Sequence, residues 1–360
     1  MKRLLSCMLA LALLCLALPA FGEDAATPWY QAPVTLCGKE YTLPVPLSAL
    51  IADGFTLDES DLAEELAPNY YTLLTAKLDG VRATLDVINL GIDVKTVADC
   101  LVSGVRVDEI DMKNGATLVA GTLEAGKTTL DEALAAVGPA ARSHEGSDYM
   151  NLTFGDGSIV DMECQFKEGV LSSLDFSYRV TPEGYNDAAY AAEVTEPAEI
   201  AAYTAPEELG ADVTSGVFRL NGVLYKMPVP YKALLANGLT VLRQNSSVKI
   251  AAHDSDIMGC PTLLLGGYPL DVYLKNPQKI AMPREYCFVT HFRVDSATVD
   301  FELPGGIKVG MSTADLESAL SGVAFEKSGS SYEISLGEKS SIDIYTYEDA
   351  VSSITFDLSL

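Results

Sequence analysis

Gly121–Thr129 reads GTLEAGKTT, and its first eight residues fit the phosphate-loop pattern G-x-x-x-x-G-K-[ST]. In that chemistry backbone N–H groups cradle phosphates, the lysine reaches the terminal phosphates, and the hydroxyl holds a magnesium ion. The flanks permit it: residues 116–120 can form the preceding strand and 129–137 the following helix. A second stretch decides against it. Gly305–Asp315 (GGIKVGMSTAD) aligns with Gly121–Asp131 (GTLEAGKTTLD) at a shift of 184 and carries Met311 where the lysine belongs. Both stretches keep a turn glycine, a hydroxyl and an acid: Gly126, Thr128 and Asp131 in one, Gly310, Ser312 and Asp315 in the other. Hydroxyl plus acid three residues later is the signal of a helix start, with the acid in the first turn favoured by the helix dipole. The expectation is a pair of helix-cap turns, no nucleotide and no cofactor.

Other chemistry-bearing residues are sparse. His144, His253 and His291 are the three histidines, and none sits at a metal-ligand spacing such as H-E-x-x-H. No G-x-S-x-G elbow occurs. His253-Asp254-Ser255-Asp256 collects hydrolase residue types, but a triad converges from separate elements, so a polar loop is expected there. Gly155-Asp156-Gly157 and Asp58-Glu59-Ser60-Asp61 place oxygen ligands together without the calcium-loop pattern, and solvated turns are expected. No metal site is expected. Trp29, Tyr30, Tyr70 and Tyr71 could form a stacking platform or serve as core and interface filler.

The compartment follows from the N-terminus. Lys2 and Arg3, the apolar run Leu4–Leu18 and small residues before Glu23 read as a cleaved secretory signal over residues 1–22. Removing Lys2 and Arg3 leaves 22 basic and 50 acidic residues, 22 − 50 = −28. That charge argues against nucleic acid and anionic membranes. Nothing else approaches a membrane span, so a secreted or cell-surface protein is expected. Five cysteines remain: Cys37, Cys100, Cys164, Cys260 and Cys287. None forms C-x-x-C, which argues against zinc and thioredoxin-type chemistry. Export permits disulfides. Cys260 and Cys287, the two in the second half, are the candidate pair.

A duplication organises the chain. Residues 36–56 (LCGKEYTLPVPLSALIADGFT) and 220–240 (LNGVLYKMPVPYKALLANGLT) align without a gap, 11 of 21 positions identical. Cys100–Asp108 aligns with Cys287–Asp295 at a shift of 187, and Val170–Phe176 with Ala350–Phe356 at 180. Residues 28–180 and 212–360 are thus expected as homologous domains. Residues 181–211 hold seven acids, no Lys or Arg, and Pro182, Pro197 and Pro206. They read as an extended acidic linker, with room for one helical turn over 185–193.

Within each repeat the pattern predicts a hairpin turning at Cys37-Gly38 or Asn221-Gly222. A short helix follows, with Pro46 or Pro230 in its first turn and Gly54 or Gly238 past its end. Paired strands turn at Asp79-Gly80 or Gly266-Gly267. A helix over 129–137 and strands over 149–154, 159–166 and 170–178 close the unit. Strand exceeds helix, so the expected fold is α+β, two homologous units of mainly antiparallel sheet with short helices.

The last third of each repeat has a G-x-[ST] turn (Gly126-Lys127-Thr128; Gly310-Met311-Ser312), a short helix, a closing glycine (Gly138; Gly322) and a Tyr-led strand meander (Tyr149; Tyr332). It resembles the module of outer-membrane assembly lipoproteins and β-lactamase inhibitory proteins. The whole unit, with its Tyr-x-Leu/Met-Pro-Val-Pro opening, also resembles exported proteins of Gram-positive anaerobes. The resemblance implies protein binding rather than catalysis. Three functions are weighed on these grounds. The first is a non-catalytic exported binding or scaffold protein whose partner is a protein or cell-envelope component. The second is an inhibitor of an extracellular enzyme. The third is a hydrolase with a single-copy site.

Overall fold

A computed structural model describes residues 28–237, 239–241, 249–256, 263–265 and 268–360. The chain is mostly antiparallel sheet with few short helices. Spatial contacts divide it into two compact units. One joins the residues up to Leu43 with Val107–Tyr178; the other joins Pro44–Arg106 with Arg179–Leu360. The middle of the first sequence repeat therefore groups with the second repeat.

In the first unit, Val34–Leu36 and Lys39–Tyr41 form the expected hairpin. Its turn residues Cys37 and Gly38 both have positive φ, 48° and 78°, as a two-residue hairpin turn of the primed type requires. Leu118–Ala120 pairs with the hairpin and Leu123–Glu124 extends it to four strands. A four-stranded meander follows: Arg142–Glu145, Tyr149–Gly155, Val160–Lys167 and Val170–Tyr178. Its first strand was not anticipated, because RSHE is polar and all four of its residues are exposed. The inner strands alternate as half-buried strands must: Leu152 and Phe154, then Met162, Cys164 and Phe166, are buried. Trp29 stands edge-on to Phe176 at 6.2 Å, and Tyr30 stacks on Tyr178 at 6.1 Å.

In the second unit, Leu101–Val107, Val81–Ile88 and Tyr71–Leu78 lie side by side in that order. Val45–Pro46 pairs with the first of them. Helix Leu47–Ala52 takes Pro46 as its N-cap, one residue earlier than expected, and Gly54 turns away at φ 101°. Further along, Val217–Leu220 and Val223–Lys226 turn at Asn221 and Gly222 (φ 51° and 76°). Pro230 likewise caps helix Tyr231–Leu235. Gly238 and Gly266-Gly267 lie outside the described residues. A larger sheet runs Tyr268–Lys275, Phe288–Val294, Ala350–Asp357, Ser340–Tyr347, Ser331–Gly337, Glu326–Ser328. Phe218 is fully buried at the centre of its core, with Tyr225, Phe292, Phe301 and Phe356 rings between 5.3 and 5.7 Å away.

The stretch expected as an extended linker carries two short helices, Asp187–Ala191 and Ala198–Ala201. The first falls where one turn was anticipated. The segment is fastened along its length. Arg179 pairs with Asp86, Tyr185 takes a hydrogen bond from Lys95 at 2.8 Å, and Asn186 donates to the Leu90 carbonyl at 3.0 Å. Lys249 donates to the Ala189 and Ala192 carbonyls at the end of the first helix, a favourable place for a cation. Glu196 pairs with Lys232, Ile200 is buried, and Tyr203 accepts the Lys226 N–H at 3.0 Å. Composition predicted an extended acidic linker, since the segment has no lysine or arginine of its own. The basic partners instead come from Lys95, Lys232 and Lys249.

Candidate functional site

The Gly121–Thr129 loop is closed to phosphate. Every backbone donor from Glu124 to Leu130 already has a protein acceptor. Glu124 N–H goes to Thr128 Oγ1 (2.8 Å), Ala125 to the Leu118 carbonyl (2.9 Å) and Gly126 to the Leu171 carbonyl (2.8 Å). Lys127 and Thr128 both go to the Glu124 carbonyl, Thr129 to Glu132 Oε2 (2.9 Å) and Leu130 to the Gly169 carbonyl (3.1 Å). A phosphate cradle needs those donors free. Lys127 is exposed and paired with Glu124 at 2.6 Å.

The helix start is real but one residue later than expected. Helix Leu130–Val137 is capped by Thr129, whose hydroxyl accepts the Glu132 N–H while Glu132 reaches back to Thr129. Thr128 and Asp131 are not the cap pair. Thr128 is buried inside the turn, its hydroxyl spent on Glu124, because the loop here is one residue longer than its counterpart. At the counterpart the expectation stands as written: Ser312 caps helix Thr313–Ala319 and accepts the Asp315 N–H at 3.1 Å. The gap-free alignment at shift 184 concealed that extra residue. Gly126 and Gly310 are the left-handed turn residues, φ 81° and 86°.

The remaining candidates are structural or dispersed. Asp156 Oδ1 accepts the N–H groups of Ser158, Val160 and Ile159, which hold its carboxyl at about 2; it shapes a turn. Asp58 precedes helix Glu59–Leu62. His144 lies on the exposed strand Arg142–Glu145, and His253 is a turn residue at φ 55° whose carbonyl accepts Lys275. His291 stacks on Tyr273, ring centroids 4.1 Å apart. Among the described residues no three His, Cys, Asp or Glu side chains group as a metal site. Cys260 lies outside the described residues. Cys287 is buried, with its thiol 3.4 Å from the Pro283 carbonyl.

Of the four candidate platform aromatics, Trp29 and Tyr30 are engaged in packing. Tyr70 and Tyr71 stand exposed, 67% and 54%, with Leu73 beside them at 60%. Tyr71 and Leu73 sit on strand Tyr71–Leu78, the last strand of its sheet, and Tyr70 immediately precedes it. Comparison with protein-family models, curated proteins and solved structures finds no match.

On the face that carries Tyr71 and Leu73, cross-strand register places Asp86 opposite Leu73 and Arg82 opposite Lys77. The next strand puts Gly104 opposite Asp86 and Arg106 opposite Thr84. Asp86 is buried, and burial pushes its carboxyl up; the Arg179 guanidinium at 2.5 Å works against that rise. Arg179 also covers the Tyr71 ring at 5.0 Å, a cation–π contact. Thr56, Leu57, Asp58, Thr75, Lys77 and Arg82 line an open hollow of about 360 Å³ at the far end. The arrangement offers apolar area beside cations, with the Arg179–Asp86 pair set against the Tyr71 ring. Sequence reasoning singled out Tyr70 and Tyr71 but missed Leu73, Lys77, Arg82, Asp86 and Arg179. Period-2 alternation in YTLLTAKL and VRATLDVI carried the signal for all but Arg179, which arrives from 93 residues away.

Proposed function

We propose that the mature chain is an exported, non-catalytic binding protein with two homologous domains, recognising a protein or cell-envelope component. The supporting observation is exposed Tyr71 and Leu73 on an edge strand, with exposed Tyr70 immediately before it. Large exposed apolar residues are ordinary when scattered; several together at a sheet edge are the mark of an interaction site. The charged and apolar sequence pattern over residues 1–22 supports export, and the repeats share Gly, Pro and apolar residues rather than paired acids and bases, which suits a scaffold. No described helix is long and apolar enough to cross a membrane.

The test immobilises the mature chain and exposes it to the exported fraction of the producing cell. A partner retained by the native chain and lost from the Tyr71→Ser, Leu73→Ser double variant supports the reading. Equal retention by both, or none by either, counts against it.

A further inference from the structure

Strand Tyr71–Leu78 has one side bonded to Val81–Ile88, and among the described residues its other side is paired only at Lys77. The direction of its backbone groups is fixed by the bonds at its two ends. Tyr70 accepts from Asn89 on the sheet side, whereas Lys77 exchanges both N–H···O bonds with Thr56 on the outer side, at 2.8 and 2.9 Å. Backbone groups alternate along a strand. Tyr71, Leu73 and Thr75 therefore share the direction of Lys77 and point outward, with no partner among the described residues. Thr56 shows that this edge accepts an antiparallel neighbour; the chain then peels off into helix Glu59–Leu62.

Open edges are normally blunted by charge, proline or a bulge. The run Tyr70–Ala76 (YYTLLTA) has no charge and no proline, and its pairing with Val81–Ile88 is regular throughout. It is rich in strand-forming residues, so it is an aggregation hazard unless something covers it. What covers it is indicated by charge. Lys77, Arg82 and Arg106 share one face with Tyr71 and Leu73, in a mature chain where acids outnumber bases 50 to 22. Asp58 lines the same hollow.

We propose that this edge receives an extended acidic segment of a partner protein as an added antiparallel strand. Its backbone bonds to Tyr71, Leu73 and Thr75, its apolar side chains lie on Tyr71 and Leu73, and its carboxylates meet Lys77, Arg82 and Arg106. Backbone pairing supplies affinity and alternate side chains supply choice, the logic of strand addition. The inference rests on the binding reading and specifies its mode.

The experiment uses the full mature chain and three synthetic ten-residue peptides: alternating Glu-Val, alternating Lys-Val, and Glu-Val with every second backbone nitrogen methylated. Binding is read by fluorescence anisotropy at two salt concentrations, and amide exchange is followed at Tyr71, Leu73 and Thr75. The expected result is binding of Glu-Val alone, protection of those three amides, and weakening by about tenfold in Lys77→Glu, Arg82→Glu or on raising salt. Equal binding of Lys-Val, indifference to methylation, or unprotected amides overturns the proposal. So does protection that rises with protein concentration alone, which identifies a second copy as the occupant. If the peptides fail while the native chain still retains a partner through Tyr71 and Leu73, the binding reading stands and strand addition falls.

Discussion

Arg179 holds one oxygen of Asp86, with Nη2 at 2.5 Å and Nε at 3.1 Å, and leaves the other buried oxygen without a hydrogen bond. Half of the carboxylate's solvation is thus replaced and half is lost, which is why burial outweighs the arginine and the carboxyl sits above its ordinary value. The pH consequence has a definite sign. In the unfolded chain the group titrates near ~3.9. Between that value and the raised folded one, the native state binds more protons, so Asp86's contribution to stability falls as pH rises through the window and levels off above it. Asp86→Asn is expected to remove that decline from urea midpoints measured between about pH 4 and about pH 8. Arg179→Met is expected to deepen it and to cost about 2–4 kcal/mol at neutral pH, because the buried charge loses its partner. Parallel pH profiles for the native chain and Asp86→Asn would show that the carboxyl is not perturbed.

The shifted cap gives a sharper test of the glycine loop. Thr129→Ala removes the hydroxyl that accepts the Glu132 N–H and is expected to cost about 1 kcal/mol in chemical denaturation. Thr128→Ala strands the Glu124 N–H inside the turn, with a similar cost of about 1 kcal/mol. Lys127→Ala should leave stability nearly unchanged, since its pair with Glu124 is solvated. ATP binding that disappears in Lys127→Ala would overturn this account of the loop.

How far the sequence carried depends on whether the signal was local. Asn221-Gly222 and Asp79-Gly80 announce their turns because positive φ at two successive positions restricts the residue types tolerated there. The alternation of LTF and MECQF announces buried Leu152, Phe154, Met162, Cys164 and Phe166. Local rules could not reveal that Pro44–Arg106 groups with Arg179–Leu360. That grouping rests on backbone bonds such as Ala252 N–H to the Ile92 carbonyl and Val94 N–H to the Lys279 carbonyl, both 2.8 Å, which any residue type can make. The same holds for the site. Tyr70 and Tyr71 were visible as aromatics, but their exposure follows from an edge position that only strand order defines.

Thiol chemistry follows burial. Cys100 and Cys164 are free, and burial pushes their thiols up to about 11 and about 12. The thiolate is the reactive form, so neither should react with a thiol reagent in the folded protein at neutral pH, while half-buried Cys37 should react first. Timed labelling with mass readout, native against denatured, checks the order. The same spectra decide the pairing of Cys260 with Cys287: a gain in mass on reduction, mapped to those two peptides, supports it, and free thiols at both positions remove it. Early labelling of Cys164 would contradict its burial.

Two buried asparagines offer the most demanding test of what organises the second unit. Asn276 is fully buried and donates to the carbonyls of Ile250, Ala251 and Ile280 at 3.1, 3.0 and 2.8 Å, while its oxygen accepts the Gln278 N–H at 2.9 Å. Asn89 is buried too; it donates to Leu66 and Asp93 carbonyls and accepts from Gly91, each at 2.8 Å. The shift of 187 that aligns Cys100 with Cys287 also aligns these two (276 − 89 = 187). Each side chain replaces the strand pairing that its loop lacks, so removing it leaves several backbone groups dry and unbonded at once. Asn276→Ala is therefore expected to cost about 3 kcal/mol or more, well beyond an ordinary surface change. Asn276→Asp should do comparable damage, because a carboxylate cannot donate to the three carbonyls. Asn89→Ala should be similar in size, and the two together less than additive if the loops unfold as one element. Thermal and urea unfolding of the four variants decides it; a loss below about 1 kcal/mol for Asn276→Ala would mean that water takes over these bonds and that the loop is held by its flanking strands.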